Sequence, residues 1–172
     1  MPCRAVLAAM LVLALPWTVA AAPRARAAKP TVLVTDVEVV DLAPPDQQYD
    51  QKQDAARAAM LTRHLRAAVA AAPGYRLLDR GPADRKPPYS YHSCRACMAD
   101  WARKRGADQV LVTWVQKESR LILFVNMALI DVHHPQRQAR GGNIALRNDI
   151  GAMWRAGASQ LLQRTMGVKM TP

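Results

Sequence analysis

Gln109–Val132 reads QVLVTWVQKESRLILFVNMALIDV, two apolar runs divided by four polar residues. Gln109–Gln116 and Leu121–Val132 are rich in β-branched and large apolar side chains, which suit a pleated, buried surface. Lys117-Glu118-Ser119-Arg120 between them is short and polar, so the two runs pair as an antiparallel hairpin. Near-continuous apolarity in both arms implies strands covered on both faces, hence the centre of a sheet between two layers.

The flanking sequence supplies the other elements. Thr31–Leu42 (TVLVTDVEVVDL) carries Val32, Val34, Val37, Val39 and Val40 in a partly alternating pattern and reads as the first strand. A turn-rich stretch with Pro44-Pro45 follows. From about Gln51 to Ala72, Leu61, Leu65 and Val69 recur at helical spacing, with Ala58, Ala68 and Ala72 allowing close approach to a sheet, and Pro73-Gly74 stops the helix. Tyr75–Leu78 is a short second strand. Asp79–Tyr91, with Gly81, Pro82, Pro87 and Pro88, is a loop long enough to move or to carry function. Ser93 resembles an N-cap for a helix whose inward stripe is Cys94, Cys97, Met98, Trp101 and Ala102, ending at Gly106. Arg103-Lys104-Arg105 in its last turn complements the helix dipole. After Pro135, Gly141 and Gly142, Asn143–Arg147 is a last strand, and Asn148 or Asp149 caps a helix with Ile150, Trp154, Leu161 and Leu162. The order β-α-β-α-β-β-β-α predicts an α/β three-layer sandwich with a mixed sheet of about five strands, the Cys-bearing helix opposite the first helix.

The N-terminus differs in kind. Arg4 precedes an unbroken apolar run, Ala5–Leu15, and Ala25-Arg26-Ala27 or Val19-Ala20-Ala21 supplies a small-x-small cleavage pattern, so residues 1–28 read as a bacterial signal peptide. The rival reading is an uncleaved anchor, which Pro16 and the alanine content weaken. Cys3 precedes the apolar run and so cannot be a lipoprotein acceptor. Removal leaves about 145 residues, one domain over 29–167 with a frayed tail at 168–172, located in the periplasm or secreted.

Beyond Ala28, 21 Lys and Arg stand against 13 Asp and Glu, a net charge near +8. Arginine-rich composition accounts for this, or else attraction to an acidic partner, anionic lipid or a cell-wall polymer. Nucleic acid is excluded as a partner by export and by the lack of basic runs interleaved with aromatics.

Cys94 and Cys97 remain after processing, three apart at a predicted helix start and in an oxidising compartment, which points to a disulfide. Its short loop would contribute only about 2 kcal/mol, pinning one turn. A redox-active pair is the sharper alternative, since a helix N-terminus beside Arg95 lowers a thiol pKa. His92 with both cysteines lacks a fourth metal ligand, so neither a metal nor another cofactor is expected. His133 and His134 read as a solvated turn pair, and Asp36, Glu38 and Asp41 as a polar strand end with no catalytic dyad. Trp101, Trp114 and Trp154 lie on apolar stripes and belong to the core. Lys117, Ser119, Arg120, Arg147 and Asp149 lie on turns or strand ends and, with the Asp79–Tyr91 loop, outline a candidate partner rim.

Several of these segments together resemble an exported bacterial family of unknown function, domain of unknown function 2380 or the similar 3280. They are Cys94-Arg-Ala-Cys97, Gly106-Ala107-Asp108, Trp114 through Leu123, Asp131, and Arg147-Asn148-Asp149 ahead of Trp154-Arg155. The resemblance runs from the first strand to the last helix. The chain departs from it at Asp131-Val-His-His-Pro, where the family has a turn like Asp-x-x-Thr-Gly, and at Arg147-Asn148-Asp149, a shortened form of Arg-Gly-Asn-Thr-Asp. Roles of those loops are therefore not carried over. The element order is also similar to the N-terminal domain of periplasmic TolB and to related curli-secretion and cell-wall-synthase activator lipoproteins, which act by protein contact. The expected function is an exported accessory protein, non-enzymatic, that binds an envelope or exported partner. The alternative is a small thiol-redox protein using Cys94 and Cys97.

Overall fold

The central hairpin forms as β4 (Gln109–Lys117) and β5 (Leu123–Asp131), paired antiparallel from Gln109 opposite Asp131 to Lys117 opposite Leu123. The structure, a computed structural model, describes residues 28–44, 50–90, 93–119 and 121–170. The expected export segment thus lies, except for Ala28, outside the described residues.

Around the hairpin stand β1 (Thr31–Val34), β2 (Glu38–Asp41), β3 (Arg76–Leu77) and β6 (Arg140–Leu146), with helices α1 (Gln51–Ala71), α2 (Arg95–Arg103) and α3 (Gly151–Met166). The sheet runs β3-β1-β4-β5-β6, with β2 continuing beside β4 past the end of β1. β1 and β2 are both parallel to β4, and β5 and β6 are antiparallel to their neighbours. The architecture is the expected α/β sandwich with a mixed sheet, in six strands because the first strand is broken.

The break is a one-residue bulge. Val32 stands opposite Gln109 but Glu38 opposite Trp114, so six steps along the first strand match five along β4. The extra residue falls in Thr35–Val37 and inverts which valines face which layer. Val32 and Val34 before it, and Val37 and Val39 after it, all reach the same core, whereas Leu33 and Val40 reach the other.

The two cores lie on opposite faces of the sheet. Leu61, Leu65 and Val69 of α1 and Trp154, Leu161 and Leu162 of α3 cover one face, and Met98, Trp101 and Ala102 of α2 cover the other. Full burial of a leucine such as Leu61 or Leu65 stabilises by roughly 1.5–3 kcal/mol. Gly141 marks the tightest approach of β6 to β5: a Cβ there would sit 2.0 Å from the carbonyl oxygen of Met127.

Helix starts differ from the expectation by a residue. Cys94, not Ser93, is the N-cap of α2, its Sγ accepting from the Cys97 amide at 3.1 Å. α3 begins after Ile150 with no side-chain cap, because the carboxylate of Asp149 is engaged elsewhere. Val168, in the tail expected to fray, is buried in the α1–α3 core.

Asp108 joins three strands. Its carboxylate accepts from the Thr31 amide at 2.7 Å, its amide donates to the Thr31 carbonyl, and its carbonyl accepts from Val132. The Thr31 amide holds the Asp108 carboxyl below its ordinary value of 3.8. A depressed carboxyl contributes stability that is present above that value and lost as pH falls through the folded one. Asp108→Asn should therefore lower the urea midpoint at pH 6, and the gap from wild type should narrow toward pH 3.

Candidate functional site

Alternate residues of β4 face opposite layers. Leu111 and Val115 point to the α1–α3 core, and the next residue on that face, Lys117, is fully buried. The expected rim position is thus corrected: Lys117 lies under the rim, inside the protein. A buried ammonium requires partners. Lys117 Nζ is 2.6 Å from each carboxylate oxygen of Asp54 and 2.7 Å from Oδ2 of Asp149. Arg57 Nη1 reaches Asp149 Oδ1 at 2.9 Å and Asp54 Oδ1 at 3.4 Å. Trp154 Nε1 donates to Asp149 Oδ1 at 3.0 Å. Lys117 Nζ and the Arg57 guanidinium lie 5.6 and 5.9 Å from the Trp154 ring centroid.

Among the described residues, two cations thus balance two carboxylates. The network ties the first turn of α1, the end of β4 and the residues entering α3 into one unit, and a satisfied buried network of this kind specifies one arrangement of its elements. Asp54 and Arg57 were not singled out from the sequence. The available sign was Asp54's position on the helical stripe of Ala58, Leu61, Leu65 and Val69.

Above this network is one end of the sheet. The Leu42 amide donates to the Lys117 carbonyl at 2.9 Å, and Ser119 Oγ accepts from the amides of Leu121 and Ile122. Leu42, Leu121, Ile122 and Ile150 are 57, 68, 50 and 52 % exposed, all at this end. Arg147 is exposed beside them, and Arg120 lies outside the described residues. Of the expected rim, Ser119 and Arg147 are at the surface here, while Lys117 and Asp149 form its buried support.

Cys94 and Cys97 are joined by a disulfide with Cα atoms 5.2 Å apart. Cys97→Ser should cost no more than about 2 kcal/mol, read as a small fall in the urea midpoint that dithiothreitol reproduces in the wild type. His92, weighed as a third ligand, lies outside the described residues. Among the described residues, no group of three or more His, Cys, Asp or Glu is placed to hold a metal ion.

Asp131 Oδ1 accepts from the amides of His133 and His134, and its Oδ2 meets His134 Nδ1 at 3.2 Å. The histidine turn is therefore organised by Asp131. Asp36 pairs with Arg85 at 2.8 Å, and Asp41 accepts from the Ala43 amide. The Asp79–Tyr91 loop is fastened over its described part. Arg85 binds Asp36 and the Arg80 carbonyl, Arg80 binds the Arg105 carbonyl, and Arg105 pairs with Asp84 and stacks on Trp101 at 4.4 Å. Arg103 and Lys104 pair with Asp100, whose carboxyl they hold below its ordinary value, Lys104 foremost.

Among the described residues, no helix is long and apolar enough to cross a membrane. No curated protein matches the chain. Solved structures of similar fold include the LpoB C-terminal domain from Salmonella enterica, at 19 % identity and TM-score 0.45, covering 70 % of this chain and 84 % of that one. TolB from Acinetobacter baumannii is similar at 12 % identity and TM-score 0.45, covering 83 % of this chain and 29 % of that one. The PelC dodecamer from Paraburkholderia phytofirmans is similar at 15 % identity and TM-score 0.42, covering 80 % and 86 %. The model of a family described as protein of unknown function (DUF2380) matches residues 30–166, and the chain belongs to that family.

Proposed function

We propose that this is an exported accessory protein of the bacterial envelope, without chemistry of its own, which binds an envelope or exported protein through the sheet end above Lys117. The observation that carries the reading is the gathering of Leu42, Leu121, Ile122 and Ile150, each at least half exposed, at that one end. Contiguous exposed apolar surface with a polar border is the usual mark of a protein contact. Arg147 and Ser119 supply the polar border, and the buried network beneath holds the turns in fixed positions, which lowers the entropy lost on binding.

The test is in vivo crosslinking from the envelope fraction with a tagged chain. Leu121→Asp with Ile122→Asp should abolish the crosslinked species while leaving the urea midpoint near wild type, because both side chains already face water. Gln136→Asp, in the β5–β6 connection at the opposite end of the sheet, should leave it intact. Undiminished crosslinking in the double variant, or an unprocessed chain confined to the cytosol, would overturn the reading.

A further inference from the structure

A groove of about 930 Å³ opens between α1, the β1–β2 bulge and the Lys86–Ser90 segment. That volume lies within the roughly 300–1,000 Å³ typical of ligand cavities. We propose that it binds a single-chain amphiphile bearing an anionic head, carboxylate or phosphate. The proposal concerns a surface apart from the sheet end and does not depend on it.

Polarity is segregated along the groove. α1 lines it from Ala55 through Ala58, Ala59, Thr62 and Arg63 to Arg66, a wall about 16 Å long at about 1.5 Å per residue. The first half is small and apolar; the second is cationic, joined by Arg85 and Lys86 from the loop. Two of these four cations are engaged, Arg85 by Asp36 and Arg66 by Asp79. Arg63 and Lys86 are exposed and have no carboxylate partner among the described residues. Glu38 lines the groove as an exposed carboxylate, so the cations retain an excess.

Two polar atoms of the lining residues are sealed beneath the groove surface. Thr113 is 1 % exposed and lines the groove, yet its hydroxyl has no hydrogen-bond partner among the described residues. Arg66 Nη1 is likewise buried and unpartnered. Both atoms are closed to water, so neither presents a donor to the groove. A ligand's anionic oxygens would meet Arg63 and Lys86, and its chain would cover the alanine half.

Other occupants fit less well. The Asp36 amide already donates to the Arg85 carbonyl and the Val37 amide to Thr62 Oγ1 at 2.9 Å, so the bulge offers no free amide there for an added peptide strand. A bare inorganic anion leaves the apolar half unexplained, and a neutral chain leaves the cations unexplained.

The protein purified in the form in which it accumulates in cells is titrated calorimetrically with dodecanoate and with dodecyl phosphate, each below its micelle concentration. Saturable one-to-one binding is expected. Arg63→Ser with Lys86→Ser should weaken it roughly tenfold or more. Ala59→Trp, which fills the groove from an exposed helix position without changing charge, should abolish it. Urea midpoints near wild type confirm that both variants are folded. The proposal is overturned if dodecanol binds as tightly, if inorganic phosphate or acetate alone binds as tightly, or if either variant binds as wild type does. Binding to phosphatidylglycerol vesicles without binding of the monomeric amphiphiles overturns it as well, since that outcome marks a membrane surface in place of a ligand site.

Discussion

Lys117→Met is expected to destabilise the protein by about 3–5 kcal/mol, the usual result of removing one partner from a buried ion pair. The methionine fills nearly the same volume, so the loss comes from charge and not from a cavity. Without the ammonium, Asp54 and Asp149 face one another with Arg57 as their one cation among the described residues, and both are largely buried. For a domain of this size, 3–5 kcal/mol is a large share of a total near 5–15 kcal/mol. Lys117→Arg should not rescue, because a compact Nζ touches three carboxylate oxygens at 2.6–2.7 Å and a planar guanidinium cannot reproduce that geometry.

Charge balance is what the network requires, and a double-mutant cycle isolates it. Lys117→Met with Asp54→Asn leaves Arg57 facing Asp149, again neutral. The pair should be less destabilising than the sum of its singles by roughly 0.5–3 kcal/mol, as coupled neighbours are. Urea unfolding followed by circular dichroism measures all four corners. A Lys117→Met midpoint within error of wild type would show that the ammonium is not a structural member of the core.

How much of this was legible in the sequence depends on the residue. The central hairpin, the helix faces and the two-sided covering follow from apolar periodicity, because a strand buried on both faces leaves an uninterrupted run. The β1–β2 bulge leaves a sign in the sequence: inward valines fall on even numbers through Val34 and on odd numbers from Val37, and a switch of parity within one strand requires an inserted residue. The charged network was legible only by combining two patterns. Asp54 extends the helical stripe of Leu61 and Leu65 backward, and Lys117 extends the inward alternation of Leu111 and Val115 forward. Each charge alone resembles an element end, where charges are ordinarily solvated. Only the fold brings them together, across 63 residues of sequence. Asp149 carries the signature of a helix cap for the same reason, since an acidic residue just before a helix commonly caps it.

Trp154→Ala is expected to cost about 3–5 kcal/mol, the range for deleting a large aromatic side chain from a core. Trp154 is fully buried in the α1–α3 core and also borders the charged network. Its ring lies beneath two cations and its Nε1 holds Asp149 Oδ1, so truncation opens a cavity beside charges that depend on dryness for their mutual attraction. Trp154→Phe separates the contributions. Phenylalanine retains an aromatic face for Lys117 and Arg57 but donates nothing to Asp149, and a hydrogen bond to a charged group contributes about 1.5–3 kcal/mol. The expected order of urea midpoints is wild type, then Trp154→Phe, then Trp154→Ala. If phenylalanine and alanine were equally destabilising, the bond to Asp149 would be the whole effect and packing of the ring irrelevant; if phenylalanine matched wild type, the bond would be dispensable and Asp149 held by Lys117 and Arg57 alone.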